Sequence, residues 1–260
     1  MSLIVPLLLI GLCLVMALAW AVQRLTGRSG WIDVIWTLGV GAAGLAAAAL
    51  ADGAWERRLA AIVLIVLWSL RLGAHIASRS GVADDPRYAR LIEDWGAAAA
   101  WRLFVFLQTQ ALAAFVLALA VLAAASNPAP FPGVLDLVGL AVAVVAIAGE
   151  GIADAQLARF RKSPQAPSEI CEAGLWAYTR HPNYFFEWLF WCAWPLLALT
   201  ASPWSWASLM APAMMYWLLV HVSGVPPLEA HMLRSRGEAF ADLQRRVNAF
   251  FPGPRRDGPR

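Results

Sequence analysis

Seven apolar runs, each long enough to cross a bilayer, constrain this 260-residue chain more than any other feature. They cover residues 3–23, 31–51, 59–77, 101–125, 134–155, 184–199 and 204–222. A hydrocarbon core of about 30 Å needs roughly 20 residues at a helical rise of about 1.5 Å. Lipid-exposed backbone must satisfy its own hydrogen bonds, and these runs are continuous rather than alternating, so helices are expected and a barrel is not. Composition agrees: 60% of the residues are apolar and 14% charged, which excludes an ordinary soluble domain and a disordered chain. The expected fold is an all-α integral membrane protein. It is read as one transmembrane domain, a bundle of seven helices, followed over 225–260 by a cytosolic amphipathic segment and tail. The first run lacks a basic leader and exceeds a signal-peptide core, so it reads as a retained span.

Basic residues are distributed unevenly between the two sides. With seven crossings, only Arg57 and Arg58 fall on the side of the N-terminus, whereas 17 of the 20 lysines and arginines fall on the other, and Arg71 lies within a span. The positive-inside rule then puts the N-terminus outside and the C-terminus in the cytoplasm of a bacterial inner membrane. Nucleic-acid binding is not needed to explain this charge. The third and fifth loops, both cytosolic, are about 20 residues long and rich in charge and aromatics, longer than most structureless connectors. After Pro226 and Pro227, Leu228, Met232, Phe240, Leu243 and Val247 recur among charges as in an amphipathic interfacial helix, and the last residues read as a frayed tail. The three cysteines, Cys13, Cys171 and Cys192, suggest neither a disulfide framework nor a metal site.

Ionisable residues inside spans cost several kcal/mol unless paired or wetted, so each marks a candidate site. Asp33 begins the second span, with Trp36 and Thr37 one turn on. A carboxylate at a helix N-terminus is also explained by the dipole alone. In the third span Trp68, Arg71, His75 and Arg79 form one polar stripe. Such a ladder can snorkel, but guanidinium forks with a histidine also suit an anion. On the fifth span Glu150, Asp154 and Arg161 share a face, with Gln156 and Arg159 beside it and Lys162 next along. Two carboxylates facing a groove can accept hydrogen bonds from ribose hydroxyls or an adenine amino group, and the basic rim suits phosphates. The bland alternative is a helix emerging into water. The densest patch is Gly174-Leu-Trp-Ala-Tyr178-Thr-Arg180-His181-Pro182-Asn183-Tyr184-Phe-Phe-Glu187-Trp188. Pro182 can open the sixth span, and Arg180 and His181 would then stand at an N-terminus suited to anions.

That patch, preceded by Asp154-x-Gln-Leu-x-x-Phe-Arg-Lys, resembles the C-terminal region of the steroid 5-alpha-reductase family, and more narrowly its bacterial DUF1295 branch. Trp31-Ile-Asp-Val-Ile-Trp, Arg71-Leu-Gly-Ala-His75, Asp85-Pro-Arg-Tyr88 and Val225-Pro-Pro-Leu-Glu229 fit the same branch. The resemblance implies a seven-helix bundle that binds NADPH in a cytosol-facing cavity and reduces a lipid-soluble enone. Carried over by position, it implies a cofactor pocket of Arg71, His75, Arg79, Glu150, Asp154, Arg161, Lys162, Tyr178, Arg180, His181, Asn183 and Glu187. Trp36 and Trp68 would meet the substrate. The family holds its ketone with a Tyr where Trp68 stands here, and the partnering Glu has no clear counterpart. Asp33, His75 and Tyr184 are the candidates for the acid. The rival expectation is a membrane methyltransferase of the isoprenylcysteine or phospholipid type using S-adenosylmethionine, which shares Arg-His-Pro-x-Tyr, a distal Glu and a stretch like Gly237-Glu-Ala-Phe240. A transporter or lipid-binding scaffold ranks third, because the outer halves of the spans are apolar.

Overall fold

A computed structural model describes residues 3–80, 86–164, 166, 169–200 and 202–256. Among these the secondary structure is helical throughout, without strands. The main helices are α1 (Ile4–Thr26), α2 (Trp31–Leu50), α3 (Trp55–Ser80), α4 (Pro86–Trp95), α5 (Ala99–Ala125), α6 (Val134–Arg161), α7 (Pro182–Ala198), α8 (Met210–Trp217), α9 (Val225–Arg236) and α10 (Glu238–Arg246). Six helices or joined helical runs are long and apolar enough to cross a membrane: α1, α2, α3, the run Arg87–Ala125, α6 and the run Pro203–Arg236. The seventh expected crossing corresponds to α7, a 17-residue helix.

By contacts the chain forms two compact units. The first is Met1–Leu137 with Trp194–Ala211, and the second Val138–Ala193 with Pro212–Arg260.

Within the first unit, α2 packs on α1, α3 and α5. Its small residues permit close approach, as is usual between helices in lipid. A Cβ on Gly41 would fall on the Ser69 side chain of α3, whose hydroxyl donates to the Thr37 carbonyl at 3.1 Å. Arg57 and Arg58, the two exceptions to the charge asymmetry, both have structural work. Arg57 is 2% exposed and forms a bidentate ion pair with Asp136, 4% exposed, with one arm at 2.9 Å. Its guanidinium also donates to Leu197 O at 3.0 Å and Ala129 O at 3.2 Å. Arg58 donates to the Ala48 and Ala49 carbonyls, where α2 leaves its last acceptors unpaired. Neither arginine is a plain water-facing charge.

The third loop, which the sequence marks as longer than most structureless connectors, contains α4. Its Tyr88 is buried while Arg87 and Arg90 face out, so the helix lies with one side on the protein.

In the second unit, Gly149 of α6 lets α7 come close: a Cβ there would lie 2.4 Å from the Phe186 ring. The turn at Gly174–Ala177 is pinned on α6 by Leu175 N–H donating to Gln156 Oε1 at 2.9 Å and Trp176 Nε1 donating to Ala153 O at 3.0 Å. Pro226 and Pro227 occupy the first turn of α9, where a missing N–H costs nothing.

The C-terminal region departs from expectation in two ways. The amphipathic stretch is two helices, broken at Gly237, and the apolar side of α10 is covered by protein: Phe240, Leu243 and Val247 are buried with Ile170 and Met232 packed on them. A period-3.6 pattern does not distinguish a lipid surface from a protein one, and here protein covers these three residues. The tail is not frayed as far as residue 256. Arg180 N–H donates to Asn248 O at 2.9 Å, Gly253 N–H to Tyr178 O at 3.0 Å, and the Thr179 hydroxyl to Ala249 O and Phe250 O at 3.0 and 2.9 Å. Arg255 adds an ion pair to Glu172 at 2.9 Å. The tail is a strap over the segment that opens α7.

Candidate functional site

The second unit gathers ten of the residues singled out in the sequence. Glu150 and Asp154 lie one turn apart on α6 and are both buried, as is Glu187 on α7. Gly149 lets α6 and α7 approach closely beside Glu150. Asn183 Nδ2 donates to Asp154 Oδ1 at a long 3.5 Å, and Trp191 Nε1 donates to Glu187 Oε1 at 2.9 Å. Where α6 ends, Arg161 and Lys162 are exposed, and Tyr178 is exposed on the neighbouring turn. An open cleft of about 650 Å³ lies here, lined by Gln156, Arg159, Phe160, Cys171, Glu172 and Gly174, among others. That volume falls in the usual range for small-molecule sites. A cleft whose wall carries the exposed Arg159 with Gln156 and Glu172 can take a ligand carrying both anionic and hydroxyl or amino groups.

Arg180 and His181 have a different setting from the anion site the sequence suggested. Glu229 of α9 receives Arg180 Nε on Oε1 at 2.8 Å and Arg180 Nη2 on Oε2 at 3.1 Å. The same Oε1 contacts His181 Nε2 at 2.9 Å, and Gln244 Nε2 donates to Oε2 at 2.6 Å. Arg180 Nη1 goes to the carbonyls of Gln244, at 3.3 Å, and Val247. Thus the arginine charge is neutralised by a carboxylate, and its fork is directed inward at α9 and the strap. The His181 ring stacks on Tyr184 with centroids 5.4 Å apart. Burial holds the His181 pKa below its ordinary value, against the pull of Glu229 in the other direction and helped by the Arg180 charge. That direction favours the neutral imidazole near pH 7.

The first unit holds a separate polar cluster around Asp33. The carboxylate pairs with Arg87 and accepts from the Tyr88 hydroxyl at 2.8 Å. Gln110 Nε2 donates to the Tyr88 oxygen at 3.1 Å, and Trp36 Nε1 donates to the Gln110 carbonyl at 3.1 Å. The Thr37 hydroxyl turns back to the Asp33 carbonyl at 2.8 Å. Trp68 is fully buried, while Arg71 and His75 are half-buried on α3. Arg79 is in the last turn of α3, and its side chain lies outside the described residues.

Sequence reasoning did not assign Glu229, Gln244, Tyr88 or Gln110 to any site. Tyr88 and Glu229 close two of the short motifs quoted above, which was the signal available. Their partners lie 55 and 49 residues away in the chain, beyond any local pattern.

The family model for DUF1295, described as a protein of unknown function, matches residues 19–247. The chain belongs to this family. The match spans both units and takes in every residue of the acidic face, the Arg180–Glu229 cluster and the Asp33 cluster. No curated protein and no solved structure matches the chain.

Proposed function

We propose that this family member is a membrane-embedded, NADPH-dependent reductase of a lipid-soluble enone. The observation that carries the reading is the set of buried acids of the second unit, Glu150, Asp154 and Glu187, together with an open cleft lined by Gln156 and Arg159 farther along α6, whose end also exposes Arg161 and Lys162. The association of DUF1295 with steroid 5-alpha-reductase-like proteins agrees with it. The residues fit the cofactor by chemistry. Arg161 and Lys162 would meet phosphates, including a 2'-phosphate, as charge-assisted donors. Asp154 and Glu150 would accept from ribose hydroxyls or the adenine amino group, with Asn183, Glu187 and Tyr178 completing the pocket. NADPH supplies a hydride to the electron-poor carbon of the enone. A protonated group of the protein must then hold the enone oxygen and deliver the balancing proton. Tyr184, a phenol in the same unit as the acidic face, is the candidate for it. Asp33 already accepts from Arg87 and Tyr88, an arrangement that suits an acceptor better than an acid.

In this reading α7 also crosses the membrane, its 17 residues spanning about 25 Å at 1.5 Å each. Seven crossings place the N-terminus outside and the C-terminus in the cytoplasm of a bacterial inner membrane, with the cleft on the cytosolic side. The engagement of Arg57 and Arg58 in buried and capping roles supports that orientation, since it removes them from the outer side's free positive charge.

A second reading, the S-adenosylmethionine-dependent methyltransferase, is favoured by one observation. Arg180 and His181 are tied to a distal acid, Glu229, ahead of Gly237–Phe240, as that pattern requires. The basic rim separates the two, because S-adenosylmethionine carries no phosphate. Arg161→Glu with Lys162→Glu is expected to weaken NADPH binding to the purified protein by tenfold or more, on the order of 1.5–3 kcal/mol for a charged hydrogen bond. Titration of tryptophan fluorescence with NADPH measures it. Unchanged NADPH affinity in the double variant would remove the phosphate assignment.

A further inference from the structure

The tautomer of His181 is fixed by its surroundings. Glu229 already receives Arg180 on both oxygens and Gln244 on one, and a carboxylate in that setting only accepts. The contact at 2.9 Å therefore requires His181 Nε2 to donate. With the ring neutral, the lone pair is on Nδ1. His181 is 3% exposed, and Nδ1 has no hydrogen-bond partner among the described residues. A doubly protonated ring would instead bury an unpaired N–H donor and a second positive charge next to Arg180. An orphaned buried acceptor costs about 1–3 kcal/mol and is rare in folded proteins, so it calls for a partner. The other groups around the ring do not supply one: the Thr179 hydroxyl meets the His181 backbone N–H at 3.4 Å, and Tyr184 stacks face on.

We propose that His181 Nδ1 is a binding site for an uncharged hydrogen-bond donor of the bound ligand, a hydroxyl or an amide N–H, and that Glu229 is the positioning residue that sets this tautomer. The inference rests on the cofactor reading above and divides the site by chemistry. Phosphates go to the exposed cations at the end of α6, Arg161 and Lys162. The Arg180–Glu229 pair is internally neutral, so the region around His181 reads a neutral polar group such as a sugar hydroxyl or a carboxamide. This reverses the anion-binding role that the Arg-His pair suggests from sequence alone.

The test uses the full-length protein in detergent with histidine labelled by nitrogen-15. There are four histidines, so the His181 signals are those missing from His181→Asn. At pH 7.5 the wild type is expected to show protonated Nε2 and bare Nδ1. NADPH or S-adenosylmethionine, whichever quenches tryptophan fluorescence, is expected to shift the Nδ1 signal in the direction of an accepted hydrogen bond. His181→Leu should weaken that probe roughly threefold to tenfold, as for one neutral hydrogen bond. His181→Asn, whose Oδ1 falls near the Nδ1 position, should recover most of the loss. In Glu229→Gln, which replaces one accepting oxygen with a donor, the Nδ1–H form should rise, a change that a purely structural role would not produce. A wild-type ring carrying its proton on Nδ1 overturns the inference without any ligand. A probe that quenches but leaves Nδ1 unmoved overturns the inference alone and leaves the proposed function standing. No quenching by either probe overturns both. An unaltered tautomer in Glu229→Gln removes the positioning role of Glu229.

Discussion

Arg57→Met is expected to destabilise the folded protein by roughly 3–5 kcal/mol. The reason is what it leaves behind. Asp136 is 4% exposed and, among the described residues, would keep the Gly133 N–H alone, which it accepts at 2.8 Å, to stabilise a buried charge. Leu197 O and Ala129 O would also lose a donor. Asp136→Leu should cost about as much for the mirror reason, a guanidinium without its carboxylate. The double replacement Arg57→Met with Asp136→Leu should recover most of either loss, because burying two apolar side chains avoids the desolvation of both ions. Thermal unfolding of the purified protein in detergent, run on all four forms as a double-mutant cycle, gives the coupling directly. Single variants within about 0.5 kcal/mol of wild type, the ordinary range of a surface substitution, would contradict the buried-pair account.

Phe250→Ala should cost about 3–5 kcal/mol, as for other buried aromatic truncations. Phe250 is buried, and its ring packs edge-on against Phe185, Trp188 and Tyr216, with centroids 6.0, 5.8 and 5.4 Å away. The flanking backbone holds Thr179 and Arg180, so loss of the ring should loosen the strap and the segment that opens α7 together. Limited proteolysis should show new cleavage in 172–181 and in 247–256. Phe251→Ala is the control, since Phe251 is nearly half exposed and should cost clearly less. Equal and small effects at both positions would mean that the tail is the frayed end its composition suggests.

The membrane spans were legible because a bilayer imposes a length, and apolar length is written directly in the sequence. Predicted and observed helices agree within a few residues for α1, α2 and α5. The surplus lies at polar ends: α3 starts earlier and α6 runs to Arg161. Hydropathy undercounts there because it stops at the first charges although the helix does not. α4 and the split of α9 from α10 were missed for the same reason, since short helices among charges carry little apolar signal. The acidic face of α6 was readable from a spacing of four within one element. The pairing of Arg180 and His181 with Glu229, of Asp33 with Tyr88, and of Arg57 with Asp136 was not, because each joins elements far apart in the chain. Tertiary pairing decides what an arginine engages, and no local pattern carries that information. Arg161 and Arg180 look alike in the sequence, yet one is exposed at a helix end and the other is locked to the half-buried Glu229 carboxylate.

The most direct test of the central claim is a paired titration of the purified wild-type protein with NADPH and with S-adenosylmethionine, read by tryptophan fluorescence. The 14 tryptophans, including Trp176, Trp188 and Trp191 around the second unit's site, make the protein its own reporter. The account predicts saturable quenching by NADPH, weaker quenching by NADH, which lacks the 2'-phosphate, and none by S-adenosylmethionine. Saturation by S-adenosylmethionine with no response to NADPH would contradict the reductase reading and install the methyltransferase in its place.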